Sequence, residues 1–384
     1  MKFSSIPGLA YEKKLLTDAV KNNHTAHAQL FAGPPGALNL PMALAYMTYL
    51  HCENRGEDDS CGTCAACSKN AKYIHPDTHF VFPLSNVKGD KDEDRFKADI
   101  LKSWRAFLLE QPFGNLDDWT NYYGGEDKLA LISREESREI IKTLSLKSFE
   151  SPHKIMIIWQ PELMHSSAAN GILKILEEPP PHTYFLLVSN SSEKLLATII
   201  SRTQRINIPL LTDTELEGYL MQQHGADADK ARNAAQLADG SVSLGIRLLD
   251  SEGDDTSSFF IKWMRHCYNF RRNTNREKNP ARDLLDLADE FHALDKLAQR
   301  NRFVYSINTM REILLMLGGA TTINRLRGDE LESVQRLSKV INSVDKVEKS
   351  FRLLNDASYH LERNGSAKMI FFDLSLQLAK TINP

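Results

Sequence analysis

The chain has 384 residues, 42% hydrophobic and 25% charged, and its 47 Lys and Arg against 50 Asp and Glu leave a formal charge of −3. This composition excludes long disorder and supplies no global charge that demands nucleic acid, although a local basic face can hide inside a balanced total. At ~150 residues per domain the length predicts two or three domains; with no apolar run near the ~20 residues of a membrane span and no apolar secretory core in the opening Met-Lys-Phe-Ser-Ser-Ile-Pro-Gly, neither a membrane nor a secreted protein is expected.

From the N-terminus, Gln29-Leu30-Phe31-Ala32 is a short apolar run closed by Gly33-Pro34-Pro35-Gly36, and a helix follows. His79–Leu84 is a second apolar run. From Asn86 to Asp127 the chain is charged and aromatic without a clear period (Asp90-Lys91-Asp92-Glu93-Asp94, then Trp119 and Tyr122-Tyr123) and reads as an insertion or long connection. Ser133-Arg134-Glu135-Glu136 has capping-box spacing and leads into Ile140, Ile141 and Leu144. Lys154–Trp159 is the strongest strand-like run, Ser166–Glu178 reads as a helix stopped by Pro179-Pro180-Pro181, and the Tyr184–Ser189 and Arg205–Pro209 runs follow. Continuous apolar strands alternating with helices predict an α/β domain whose parallel sheet is covered on both faces.

Thr212-Asp213-Thr214-Glu215 repeats the capping-box pattern, and the chain then reads as helical to about Asp250 with an interruption at Gly240-Ser241. Ser251–Asp255 is a polar break and a plausible linker. The rest is all-α in pattern. Leu284, Leu287, Ala288, Phe291 and Leu294 line one face, and Leu337, Val340, Val344, Val347, Phe351 and Leu354 form a longer stripe at steps of three and four. Such stripes are expected to be bundle core.

Four of the five cysteines, Cys52, Cys61, Cys64 and Cys67, fall within 16 residues. A long chain with one tight cluster suits a metal site in a reducing compartment better than a disulfide framework. Four thiolates complete a closed tetrahedral Zn²⁺ site with no position left for water, so the expected cofactor is structural zinc. A ferredoxin-type iron–sulfur run needs a further cysteine where Ala71 stands. A deaminase-type zinc would use His51 and Glu53, but the cysteines that follow lack the Pro-Cys-x2-Cys pair. Cys267 reads as a small buried hydrophobe.

Gly33-Pro34-Pro35-Gly36-Ala37-Leu38-Asn39-Leu40 lies between strand and helix, where a phosphate-binding loop would lie. The working motif ends in glycine, lysine and Ser or Thr, which let backbone amides close on phosphates, neutralise them and hold Mg²⁺. Leu38, Asn39 and Leu40 occupy those places. After the Lys154 strand, where a nucleotide hydrolase carries acids, stand Trp159 and Gln160. Gly33, Gly36, Leu38, Asn39, Leu40, Trp159 and Gln160 therefore read as a degenerate nucleotide site, with neither ATP nor Mg²⁺ expected.

Ala168-Ala169-Asn170-Gly171-Ile172-Leu173-Lys174-Ile175-Leu176-Glu177-Glu178-Pro179-Pro180 with the Phe185–Ser189 strand resembles the bacterial clamp-loader branch of the AAA+ ATPases. So do His27–Pro34, the Cys52-x8-Cys61-x2-Cys64-x2-Cys67 spacing, and Ser201-Arg202-Thr203, where Thr203 departs from the usual cysteine. The resemblance implies a P-loop NTPase-like AAA+ domain over 1–210 with the cysteine knuckle at 52–67, a helical lid at 211–252 and a helical collar for oligomerisation at 259–384. Combined with the degenerate loop, it implies a non-hydrolysing ring member in a cytoplasmic replisome. Its implied partners are the gamma/tau and delta subunits, and through them a sliding clamp and primer-template DNA. Read alone, Arg202 is an ordinary surface arginine; the resemblance gives it, with Ser201, the role of an arginine finger acting in trans at a neighbour's ATP site. Helix N-termini of this branch face duplex phosphates; Lys142, Lys147 and Lys154 read equally well as such contacts or as a solvated face. The alternatives are an active gamma/tau-type ATPase and a stand-alone zinc-binding nucleic-acid module.

Overall fold

The computed structural model describes residues 1–85, 93–125, 129–145, 148–250, 256–270, 280–294, 296–320, 328–363 and 365–383. The linker read at 251–255 and Lys147 lie outside the described residues. The chain divides into two compact units, Met1–Asp250 and Ser251–Pro384.

The first unit runs α1 (Ala10–Lys21), β1 (Ala28–Ala32), α2 (Asn39–His51), α3 (Ala65–Asn70), β2 (Thr78–Val81), α4 (Glu93–Glu110), α5 (Leu116–Tyr122), α6 (Arg134–Ser145), β3 (Lys154–Trp159), α7 (Ser166–Glu177), β4 (Thr183–Ser189), α8 (Ala197–Ile200) and β5 (Gln204–Asn207). The helices α9 (Asp213–His224), α10 (Ala228–Ala238) and α11 (Val242–Asp250) follow. The described strands form one sheet in the order β2-β3-β4-β1-β5, all pairs parallel. Side chains alternate across it, as a strand's two-residue period requires. Ile155, Ile157, Trp159, Leu186 and Val188 face one core with α2, and Met156, Ile158, Phe185 and Leu187 face another with α6 and α7. Burial on both sides leaves every residue of β1 and β3 buried, which is why both are apolar apart from Gln29 and Lys154.

The segment expected to be an insertion or long connection instead contributes α4 and α5 to the first core. Trp104, Phe107, Leu108 and Trp119 are buried, and the Trp104 ring stacks on Phe82 at 4.4 Å and lies 5.0 Å from both Trp119 and Trp159. Ile100, Leu101, Trp104, Phe107 and Leu108 do recur at three and four, a period hidden by the charge run before them. Residues 86–92 and 126–128 of that segment lie outside the described residues.

The start of α9 is the expected capping box: Thr212 Oγ1 accepts from Glu215 N at 3.3 Å while Glu215 Oε2 accepts from Thr212 N at 2.9 Å. The helical stretch breaks at Gly225 as well as at Gly240. Gly240 has φ +82°, and a Cβ there would lie 2.5 Å from the Leu211 carbonyl oxygen, so the turn requires glycine.

The second unit is helical throughout its described residues: α12 (Thr256–Asn269), α13 (Pro280–His292), α14 (Lys296–Leu317), α15 (Gly328–Val340), α16 (Val344–Glu362) and α17 (Ala367–Ile382). Its centre is aromatic, with Phe291 stacked on Phe371 at 4.4 Å and Trp263 within 4.5 Å of the same ring. Cys267 is buried there, as expected, and so are Leu284, Leu287, Ala288 and Phe291. The longer stripe is corrected in part. Val347 and Leu354 are buried, but Val344 and Phe351 are 52% and 39% exposed. Ser343 Oγ accepts from Lys346 N at 3.3 Å and starts α16, which separates Val344 from Leu337 and Val340 of α15; within α16 the buried face follows Val347, Ser350, Leu354 and Ala357, and Val344 and Phe351 lie at its edge.

Candidate functional site

The loop from Gly33 to Leu38 joins the end of β1 to α2. Asn39, at the helix start, is 1% exposed, and its Nδ2 donates to the carbonyls of Gly33 and Ser189 at 3.2 and 2.9 Å and to Asn190 Oδ1 at 2.8 Å. The donor group at the motif's lysine position is thus turned into the protein, tying the loop to the end of β4. Leu38 and Leu40 are buried beside it. A Cβ on Gly33 would lie 2.2 Å from the Ile208 carbonyl oxygen, and one on Gly36, whose φ is +91°, would lie 3.0 Å from Ser241 Cβ. The loop is therefore packed against the chain after β5 and the turn before α11. Trp159 closes β3 inside the aromatic core, and Gln160 is buried with its N–H donating to the Val188 carbonyl at 2.8 Å. Glu162, unnoticed in the sequence, accepts from the N–H groups of Asn190 and Ser191 at 2.9 and 3.0 Å. Outside the loop, an open groove of about 610 Å³ at the strand ends carries Glu12 and Glu193 as well as Arg205.

The cysteines are brought together. Cys52 ends α2, Cys61 sits in the following loop, Cys64 caps α3 and Cys67 lies in its first turn. The four sulfurs lie within 4.8 Å of one another, and Cys61 and Cys67 Sγ are 3.9 Å apart. A tetrahedron with Zn–S bonds of about 2.3 Å has edges of about 3.8 Å, so the donor set fits a metal ion. Backbone N–H groups point at the sulfurs: Cys61 N to Cys52 Sγ and Cys64 N to Cys61 Sγ at 3.3 Å, and Cys67 N to Cys64 Sγ at 3.4 Å. Hydrogen bonds from Thr63 N and Cys64 N hold the Cys61 thiol down at about 6, favouring thiolate, whereas burial pushes Cys52 and Cys67 up. His51 does not join them. It stacks on His75 at 4.0 Å, and its Nδ1 faces Asn70 Nδ2 at 3.3 Å, while Glu53 accepts from Ala66 N, so the deaminase-type pair does not converge on the sulfurs.

Arg202 follows α8 on the surface. Its Nε donates to Glu177 Oε1 at 2.8 Å and Nη1 to the Thr198 carbonyl at 2.9 Å, and Nη2 contacts the same Glu177 oxygen. Ser201 Oγ donates to the Thr198 carbonyl at 3.2 Å, and Thr203 Oγ1 back-bonds to Ile199 and Ile200. The lysine face is corrected at Lys154. That side chain is buried, and its Nζ donates to the carbonyls of Thr143 and Leu144 at 3.2 and 3.3 Å, satisfying the C-terminus of α6. Lys142 is exposed beside Glu139.

Two further residues had no sequence signal. Asp77, buried at the start of β2, accepts from the N–H groups of Phe149, Glu150 and Ser151 at 2.5, 2.8 and 2.7 Å. Burial alone would raise its pKa, but these three donors hold it below the usual carboxylate value. Glu177 stands inside the quoted motif, yet nothing local names Arg202 as its partner.

Among the described residues, no helix is long and apolar enough to cross a membrane. The chain is 27% identical over 210 residues to DNA polymerase III subunit delta' of Bacillus subtilis, covering 55% of this chain and 50% of that one. It is 24% identical over 254 residues to subunit tau of the same organism, covering 65% of this chain and 37% of that one. The matches thus span between about a third and half of these relatives' lengths. A DNA polymerase III gamma subunit-related protein of Thermotoga maritima aligns over 97% of this chain and 100% of its own, at 14% identity and a TM-score of 0.42. The family model described as DNA polymerase III, delta subunit, matches residues 10–212. That match takes in more than half of the chain, including the sheet, the loop after β1 and the cysteine knuckle, and the chain belongs to this clamp-loader family of AAA+ proteins.

Proposed function

We propose that this chain serves as the delta-prime subunit of a DNA polymerase III clamp loader, a ring member that does not itself hydrolyse ATP. In this role it works with gamma/tau and delta subunits in the cytoplasmic replisome to place a sliding clamp on primer-template DNA. Residues 1–210 act as the AAA+ domain, 211–252 as its lid and 259–384 as the collar through which the ring assembles. Ser201 and Arg202 present an arginine to the nucleotide of a neighbouring ATPase subunit, where a planar guanidinium can stabilise charge on the transferred phosphoryl group. Cys52, Cys61, Cys64 and Cys67 hold a structural Zn²⁺, whose closed coordination braces the knuckle between α2 and α3.

The observation that carries the reading is Asn39. Its carboxamide spends its donors on Gly33, Ser189 and Asn190, where a working loop would aim a lysine at phosphate. Trp159 and Gln160 supply no acid for Mg²⁺. An active ATPase of the gamma/tau type is the second reading, favoured by the match to subunit tau over 65% of this chain. Titrating Mg-ATP into the isolated chain in a calorimeter separates them. A flat trace at high micromolar protein is expected, and a saturable one-site heat overturns the proposal in favour of the ATPase.

A further inference from the structure

Arg202 has five N–H donors arranged in a planar fork. Nε and Nη2 both donate to Glu177 Oε1, while Nη1 donates to the Thr198 carbonyl and lies 3.4 Å from Ser201 Oγ. These contacts engage four donors and leave one, on Nη2. A bidentate grip on phosphate oxygens needs two parallel N–H groups. In this conformation the guanidinium cannot make that grip without releasing Glu177, Thr198 or Ser201, and the face formed by Nε and Nη2 opens only when Glu177 leaves.

Glu177 is the last residue of α7, fixed there by the prolines that stop the helix. A carboxylate at a helix C-terminus meets the negative end of the macrodipole, so the position is unfavourable for α7 itself. What the carboxylate gains is the guanidinium. The two side chains are 30% and 48% exposed, and ion pairs so exposed are weak enough for a competing anion to open. A nucleotide phosphate carries more charge than one carboxylate and accepts both arms of the fork.

We propose that Glu177 is a latch on Arg202. In the chain on its own it holds the guanidinium folded against the end of α7, and engagement with a neighbouring subunit's nucleotide exchanges Glu177 for phosphate. Glu177 is thus a positioning residue that sets how much nucleotide is needed to recruit the arginine. The inference rests on the reading of Arg202 as a donor in trans.

The test uses the complete reconstituted clamp loader with this chain carrying Glu177→Gln, Arg202→Ala, or both. Glu177→Gln is expected to lower the ATP concentration for half-maximal DNA-stimulated hydrolysis by about two- to fivefold, the range an exposed pair can supply, with kcat unchanged. The double variant should match Arg202→Ala, because a latch has no effect once its bolt is gone. In the isolated chain labelled with ¹⁵N-arginine, Glu177→Gln should speed solvent exchange of the Arg202 Nε–H. If Arg202→Ala slows hydrolysis while Glu177→Gln matches wild type in both assays, the latch is wrong and the donor reading stands. If Glu177→Gln slows hydrolysis as Arg202→Ala does, Glu177 presents the arginine and does not restrain it, which also overturns the latch. If Arg202→Ala changes nothing, the donor reading fails and takes the latch with it.

Discussion

Asp77 shows how one buried side chain can hold a connection that no motif announces. Its carboxylate takes three consecutive backbone N–H groups from residues 149–151, just before β3, and so fixes the entry of the strand that pairs with its own. Asp77→Asn would turn an amide N–H₂ toward those donors and is expected to destabilise the first unit by about 1–3 kcal/mol at neutral pH. The sign of the pH dependence follows from the lowered folded pKa. The contribution is present above the unfolded value of about 3.9 and is lost as pH falls through the folded value. Urea unfolding at several pH values should show the gap between wild type and Asp77→Asn widest near neutrality and closing in acid; a gap that does not narrow would assign Asp77 a purely steric role.

Among the elements, the knuckle between α2 and α3 and the pair α4–α5 show opposite degrees of legibility. The cysteine spacing is local, and the structure gathers the four sulfurs as that spacing predicts. The purified chain should carry zinc near one equivalent, and Cys64→Ser should release it. If the knuckle contributes about 3 kcal/mol, its loss should lower the Tm of the first unit by about 6–12 °C and leave the second unit's transition in place. Retained metal or an unchanged first transition would count against a structural ion. The helices α4 and α5 were obscured because their charge masks a three-and-four period that points at Phe82 and Trp159, partners far away in sequence. Arg247 of α11 donates to Asp118 of α5 at 2.9 Å, so these helices also tie the chain after β5 to the sheet.

For the whole molecule, the question is what it contributes to an assembly. If Arg202 acts in a partner's site, as proposed, Arg202→Ala should leave folding and assembly intact, because the side chain lies outside the core. DNA- and clamp-stimulated hydrolysis by the complete complex should fall in part, the loss confined to the site this chain serves, where an arginine finger is worth about 10³-fold or more. Arg202→Lys should rescue poorly, since lysine keeps the charge and loses the planar fork. Wild-type rates of hydrolysis and clamp loading with Arg202→Ala would leave Arg202 as a surface ion pair with Glu177.

Periodicity, caps and spacing are properties of neighbouring residues, and they were sufficient for the α/β first half, the helical second half, the Thr212 capping box and the cysteine cluster. They also marked Leu38, Asn39, Leu40, Trp159 and Gln160 as positions lacking the usual phosphate and metal ligands. They could not say what those residues do instead. Asn39 finds its acceptors at Ser189 and Asn190, Asp77 its donors at residues 149–151, and Lys154 the carbonyls that end α6. The pairing of Glu177 with Arg202 spans a strand and a short helix. A side chain's chemistry states what kind of partner it needs; which partner it gets depends on segments that meet only when the sheet closes in the order β2-β3-β4-β1-β5. The stripe through Val344 and Phe351 was decided the same way, because a three-and-four spacing fits two adjacent faces of α16 and packing against α14 and α17 buries the one through Val347, Ser350, Leu354 and Ala357.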